Sequence, residues 1–67
     1  MKRYDFALIK FDPNGSETEI VSTHITEGGA DRALSKVDGR THYIAKKRAD
    51  GEYETRLQAR DRAERAH

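Results

Sequence analysis

Two turn signatures, Asp12-Pro13-Asn14-Gly15 and Ala49-Asp50-Gly51-Glu52, each lie between apolar, β-prone runs. Proline presets φ, Asn and Asp tolerate left-handed backbone, and Gly accepts positive φ without a steric penalty. Each signature therefore predicts a hairpin. One short helical pattern lies between them, and this layout leaves few folds open.

Tyr4 to Phe11 reads as the first strand, with Tyr4, Phe6 and Leu8 on one face and Ala7, Ile9 and Phe11 on the other. A strand apolar on both faces belongs inside a sheet rather than at its edge. A type I turn closed by a bulge at Gly15 pairs Asp12 with Ser16. Counting outward sets Leu8 against Ile20, Ala7 against Val21 and Phe6 against Ser22, in a second strand from Glu17 to Ile25. At the second turn, a two-residue loop at Asp50-Gly51 pairs Ala49 with Glu52 and Arg48 with Tyr53. Lys47 then meets Glu54, and Ile44 meets Leu57. Arg40 to Arg48 and Glu52 to Gln58 become the third and fourth strands.

Between the hairpins, Thr26 is the expected N-cap of a helix near residues 28–38. Ala30, Ala33, Leu34 and Val37 form its apolar stripe, and Gly39 stands where a C-terminal cap belongs. After Leu57 the chain is rich in Arg and Ala, with Arg60/Glu64 and Asp61/Arg65 at helical spacing. It carries no large apolar residue to dock it, so a frayed or partner-ordered helix is expected. The sum is an α+β chain of ββαββ order: a four-stranded antiparallel sheet in the order 2-1-3-4, with one helix on one face. Residues 1–58 make one domain and residues 59–67 a charged tail. The expected core is Phe6, Leu8, Ile20, Leu34, Val37, Ile44 and Leu57.

With 67 residues the chain has room for one domain, and only eleven residues are Val, Ile, Leu or Phe. A domain this short buries only about 60% of the surface its unfolded chain exposes, so its core is thin. Charged residues reach 37%, but near-neutral net charge and clear strand periodicity argue for a folded chain. The absence of cysteine excludes disulfides and thiolate metal sites. No apolar run approaches a membrane span or the core of a signal peptide, which makes cytoplasmic, intracellular action the expectation.

Catalytic chemistry finds little purchase. Ser16, Ser22 and Ser35 fall in a turn, a strand and the helix, and no motif ties them to His24, His42 or His67. His24 and His42 could share a metal only if the second and third strands were neighbours, which the strand order disfavours. Gly28-Gly29 lacks the further glycines and the Lys of a phosphate loop and reads as a loose helix entry. Glu17/Glu19 and Glu52/Glu54 read as solvated strand carboxylates that guard an edge. No enzyme activity, cofactor or metal is expected.

Recognition remains. The formal charge is +1 overall, yet residues 1–39 carry a net of −2 and residues 40–67 a net of +3. The basic half holds Lys46, Lys47, Arg48, Arg56 and Arg60 with Tyr43 and Tyr53 among them, and these seven are the candidate partner-binding residues. Arginine's planar fork suits carboxylate or phosphate partners. The leading expectation is a protein-binding module that acts by occupying the surface of a protein or nucleoprotein partner. In size, layout and lack of chemistry the chain resembles small inhibitors of host defence from bacteriophages and mobile elements, anti-CRISPR proteins among them. The alternative is nucleic-acid binding through the basic hairpin and tail, where Arg and Lys meet phosphates and the tyrosines stack bases. A homodimer through a sheet face is compatible with both.

Overall fold

The computed structural model describes residues 3–15 and 17–65. Strand β1 (Phe6–Phe11) is followed by β2 (Thr18–His24), helix α1 (Glu27–Leu34), β3 (His42–Lys46) and helix α2 (Arg56–Arg65). Among the described residues the class is α+β, with a three-stranded antiparallel sheet in the order β2-β1-β3 and two helices. The doubly apolar β1 lies in the middle, as its pattern requires. Ala7, Leu8, Ile9 and Phe11 are all buried along it.

The first hairpin forms at the expected turn but in a different register. Asn14 N–H donates to Asp12 Oδ1 (2.9 Å) and Gly15 N–H to the Asp12 carbonyl (3.1 Å). Asp12 N–H then donates to the Glu17 carbonyl (3.3 Å), so the loop is one residue longer than a Gly15 bulge demands. The expected pairing of Asp12 with Ser16 involves a residue outside those described. Phe11 meets Thr18 and Ile9 meets Ile20, and a bulge between Leu8 and Ile9 then brings Leu8 opposite Ser22 and Phe6 opposite His24. The longer loop and the bulge together undo the expected Leu8–Ile20, Ala7–Val21 and Phe6–Ser22 pairs. Ile20 is left 54% exposed on the edge strand instead of in the core.

Helix α1 starts where its cap predicts. Thr26 is extended, and its Oγ1 accepts from Gly29 N–H (3.1 Å). The helix is shorter than the expected 28–38. It ends at Leu34, after which Lys36 N–H and Val37 N–H donate to the Ala33 and Leu34 carbonyls in tighter turns (both 3.2 Å). Gly39 does not adopt left-handed backbone and does not cap it. The helix contacts all three strands, on the face that carries Leu8 and His24. Ala30 is fully buried there, while Ala33, Leu34 and Val37 are half-buried.

The largest departure comes after β3. The second turn closes as a three-residue loop: Arg48 N–H donates to the Glu52 carbonyl (2.6 Å), and Gly51 takes φ +88°. That left-handed position is the one a three-residue hairpin loop reserves for Gly. The extra loop residue moves Lys47, rather than Arg48, opposite Tyr53. Backbone pairing ends one step on, where Glu54 N–H donates to the Lys46 carbonyl (3.0 Å), so the expected fourth strand at Glu52–Gln58 is absent. Thr55 and Gln58 explain why. Thr55 Oγ1 accepts from Gln58 N–H (3.2 Å), and Gln58 Oε1 accepts from Thr55 N–H (3.0 Å). This reciprocal capping box starts a helix at the point where the ladder would need extended backbone. Leu57 is consequently 70% exposed and far from its expected partner role against Ile44.

The division expected at residue 58 falls inside α2, and Ala59 docks that helix at 6% exposure. Small side chains dominate the interior. Ala7 and Ala45 pair across β1 and β3 and pack with Ile9, under Tyr43 and Tyr53. Tyr53 Oη donates to the Tyr4 carbonyl (2.7 Å), tying the second hairpin to the start of the chain.

Candidate functional site

Glu54 organises the C-terminal part of the molecule. Its side chain is only 13% exposed and its Oε1 accepts from the backbone N–H of Lys46 (2.8 Å). Both carboxylate oxygens also accept from Arg62 Nε (2.9 and 3.2 Å). One side chain thereby ends the free edge of β3 and holds α2 against it. Arg62 Nη1 also lies 4.0 Å from Glu27, reaching toward α1. The two helices are otherwise apart, and an open groove of about 720 Å³ separates them.

The groove is built from three directions. Glu27, Asp31 and Leu34 of α1 form one wall, and Arg56, Ala59 and Ala63 of α2 the other. The floor is His42, Tyr43 and Ile44 of β3 with Phe11 of β1, and Arg40 and Arg60 stand on the rim. Phe11 and Tyr43 tilt against each other at 50° with centroids 5.9 Å apart. The Arg56 guanidinium sits over the Phe11 ring, 4.2 Å from its centroid. Burial first, and the Glu54 charge second, push the Tyr43 phenol above its ordinary range, so it stays a neutral donor, directed at the Glu54 carbonyl (3.4 Å).

The β3 backbone completes the floor. Phe11 N–H donates to the Thr41 carbonyl (2.8 Å) and Lys47 N–H to the Asp5 carbonyl (2.7 Å). By alternation, the peptide groups of His42, Ile44 and Lys46 point away from β1. Those of Lys46 are taken by Glu54, which also donates its own N–H to the Lys46 carbonyl (3.0 Å). Those of His42 and Ile44 have no hydrogen-bond partner among the described residues. A short length of open strand edge thus lies between the two helices.

Charge in the groove is mixed, with a basic excess. Arg40, Arg56, Arg60 and Arg62 face Glu27 and Asp31. Arg40 pairs with Asp38 (3.3 Å) and Arg60 with Glu64 (3.2 Å), but their side chains are 91% and 72% exposed. Such pairs hold their partners weakly and leave the guanidinium donors open to a ligand. The Arg40 backbone N–H first, and its guanidinium second, hold the Asp38 carboxyl below its ordinary range. His42 Nδ1 donates to the Asp38 carbonyl (2.9 Å).

Of the seven expected partner-binding residues, Tyr43, Arg56 and Arg60 come together in this groove. The other four lie beyond it. Arg48 pairs with Asp50 (2.8 Å) and reaches Gln58 (3.3 Å). The Glu52 backbone N–H first, with Arg48 adding to it, lowers the Asp50 carboxyl. Lys47 lies over the Tyr53 ring (5.6 Å), and Tyr53 belongs to the packing around Ala7 and Ala45. Its phenol is raised by burial and then by Asp5. Lys46 is exposed.

The reading of the sequence missed Arg40, His42 and Leu34 as groove residues. Arg40 and His42 surround the short turn into β3, where the signal is only a basic residue near an aromatic one. It also missed the approach of Ser22 Oγ to His24 Nε2 (2.8 Å), side by side on β2. A serine nucleophile needs a base that a third group orients. No hydrogen bond joins His24 to a carboxylate among the described residues. No three His, Asp or Glu side chains converge as a metal site requires, again among the described residues. No helix among them is long and apolar enough to cross a membrane.

Comparison with protein-family models, with curated proteins and with solved structures finds no match to this chain.

Proposed function

We propose that this protein is a non-catalytic protein-binding module that acts by occupying a partner's surface, with the α1–β3–α2 groove as its contact. The observation that carries this is the groove itself: an apolar floor and an open strand edge under exposed arginines. Binding sites combine apolar surface with a few convergent polar groups in this way. Arginine and aromatic residues are also the types that dominate protein interfaces. An inhibitor that blocks a partner by sitting on it is one form such a module takes. The likeness to anti-CRISPR proteins rests on size and layout alone.

Nucleic-acid binding is the second reading, carried by the net positive charge of residues 40–67. Against it stand the internal partners of the basic hairpin, where Arg48 is held by Asp50 and Lys47 lies on Tyr53. Base stacking needs a free aromatic face, and Arg56 occupies that of Phe11.

The test is affinity capture from the native host, read by mass spectrometry with and without nuclease, using the wild type and the double variant Arg40→Glu/Arg60→Glu. Both side chains are highly exposed, so folding should be unchanged by circular dichroism. Capture of a defined partner should survive nuclease, and the variant should bind it at least about tenfold more weakly, roughly 1.4 kcal/mol. Unchanged affinity in a folded variant rules the groove out as the contact. Loss of capture on nuclease treatment, with steep salt dependence, favours the nucleic-acid reading.

A further inference from the structure

Taking the groove as the contact surface, on which this step rests, we infer that its occupant is an extended acidic segment of a partner protein. The segment adds to the free edge of β3 at His42 and Ile44 and presents carboxylates to Arg40 and Arg60. Three features select this occupant. The outward peptide groups of His42 and Ile44 lack partners among the described residues, although their neighbour Lys46 has both its groups satisfied by Glu54. An extended peptide supplies donors and acceptors at the matching spacing, which is how strands add to open edges. A helix cannot, because its backbone groups bond internally.

The side chains agree with the backbone. Successive residues of an added strand point to opposite sides. Within the groove that sends alternate residues toward Leu34 and α1 on one side and toward α2 with its arginines on the other. Arg40 and Arg60 offer planar forks that carboxylates match in paired hydrogen bonds. Glu27 and Asp31 on the α1 wall work as a filter. They tolerate a few carboxylates placed toward the opposite wall, and they repel a phosphodiester strand that carries a charge at every nucleotide. A length of two outward-facing residues is a short edge, since α2 and Glu54 close β3 at Lys46. The segment is therefore anchored by few backbone bonds and depends on its charges.

The probe is a fluorescein-labelled heptapeptide alternating Glu with Val and Leu, compared with a Gln-for-Glu counterpart, a counterpart N-methylated at alternate residues, and oligothymidylate. Fluorescence anisotropy reads affinity, and amide shifts of the 15N-labelled protein read location. The acidic peptide should bind at least about tenfold more tightly than the Gln and N-methylated peptides, equivalent to about 1.4 kcal/mol. It should shift His42 to Ile44, and it should lose its advantage over the Gln peptide with Arg40→Glu/Arg60→Glu. Equal affinity for the Glu and Gln peptides overturns the inference. So do tighter binding of oligothymidylate and amide shifts confined to Lys46–Arg48. Loss of partner capture in the double variant together with failure of the acidic peptide overturns only the extended acidic occupant. Unchanged capture removes the groove reading itself.

Discussion

Replacing Leu8 with Ala should destabilise the protein by about 2–5 kcal/mol, because the lost methyl groups leave a cavity that the sheet closes only partly. Leu8 is 2% exposed and is the largest side chain so completely enclosed. It lies on the central strand, on the face that α1 covers, opposite Ser22 of β2 and Ile44 of β3. For a domain of this size each kcal/mol shifts the melting temperature by roughly 4–8 °C, so the change is large in a thermal scan. Leu57→Ala provides the contrast. Its side chain is 70% exposed on α2, and truncation should alter stability by no more than about 0.5 kcal/mol. The pair separates the observed fold from a four-stranded alternative, in which Leu57 faces Ile44 and its loss costs as much as that of Leu8. Equal melting shifts for the two variants would show that residues 56–58 pack as a strand after all.

The second large effect is expected at Glu54. Truncation to Ala removes the acceptor of the Lys46 N–H and both acceptors of Arg62 at once. The exposed Lys46 N–H can turn to water, but the part-buried Arg62 guanidinium loses its charged partner, at a cost of about 1–3 kcal/mol. The Glu54 and Arg62 side chains are 13% and 29% exposed, so salt screens them less than the surface pair Arg60–Glu64. Glu54→Gln keeps an acceptor for Lys46 and gives up the ion pair, so an intermediate loss is expected. Hydrogen exchange locates the effect: the amides of α2 and Lys46 should exchange faster in Glu54→Ala, with those of β1 changed only through global stability. Exchange rates in α2 that match the wild type would mean that the helix is held by other contacts.

The parts of this fold written in the sequence are those with local chemistry. Asp12-Pro13-Asn14-Gly15 sets the first turn, Thr26 sets the start of α1, and the apolar faces of β1 set it in the middle of the sheet. What escaped reading depends on single-residue counts and on small side chains. One extra loop residue at each turn changes which residues meet, because side chains alternate with a period of two. The longer first loop sets Ile20 opposite Ile9 instead of Leu8 and leaves it in solvent, and the bulge in β2 displaces the pairing of Leu8, Ala7 and Phe6 further. Ala7, Ala30, Ala45 and Ala59 form much of the interior, yet alanine carries almost no hydrophobic signal in a pattern search for large residues. The Asp50-Gly51 turn and the pairs counted outward from it, Lys47 with Glu54 and Ile44 with Leu57, suggested a strand. The competing signal was present too, in Thr55-Arg56-Leu57-Gln58, a capping box followed by alanine-rich helix formers. With that helix comes the groove, of whose lining Tyr43, Arg56 and Arg60 were legible as part of a basic, aromatic C-terminal region. The wall from α1 was not, because only the tertiary crossover brings Leu34 and Asp31 opposite Arg56 and Arg60.

The proposal that the groove is the contact surface is tested most directly by the amide spectrum of the 15N-labelled protein as the captured partner is added. The largest shifts should fall on Leu34, Arg40, His42, Ile44 and Arg60, with little change at Ile20 and Val21 on the exposed edge of β2. Shifts concentrated on β2, or on Lys46, Lys47 and Arg48 with the groove silent, would contradict it.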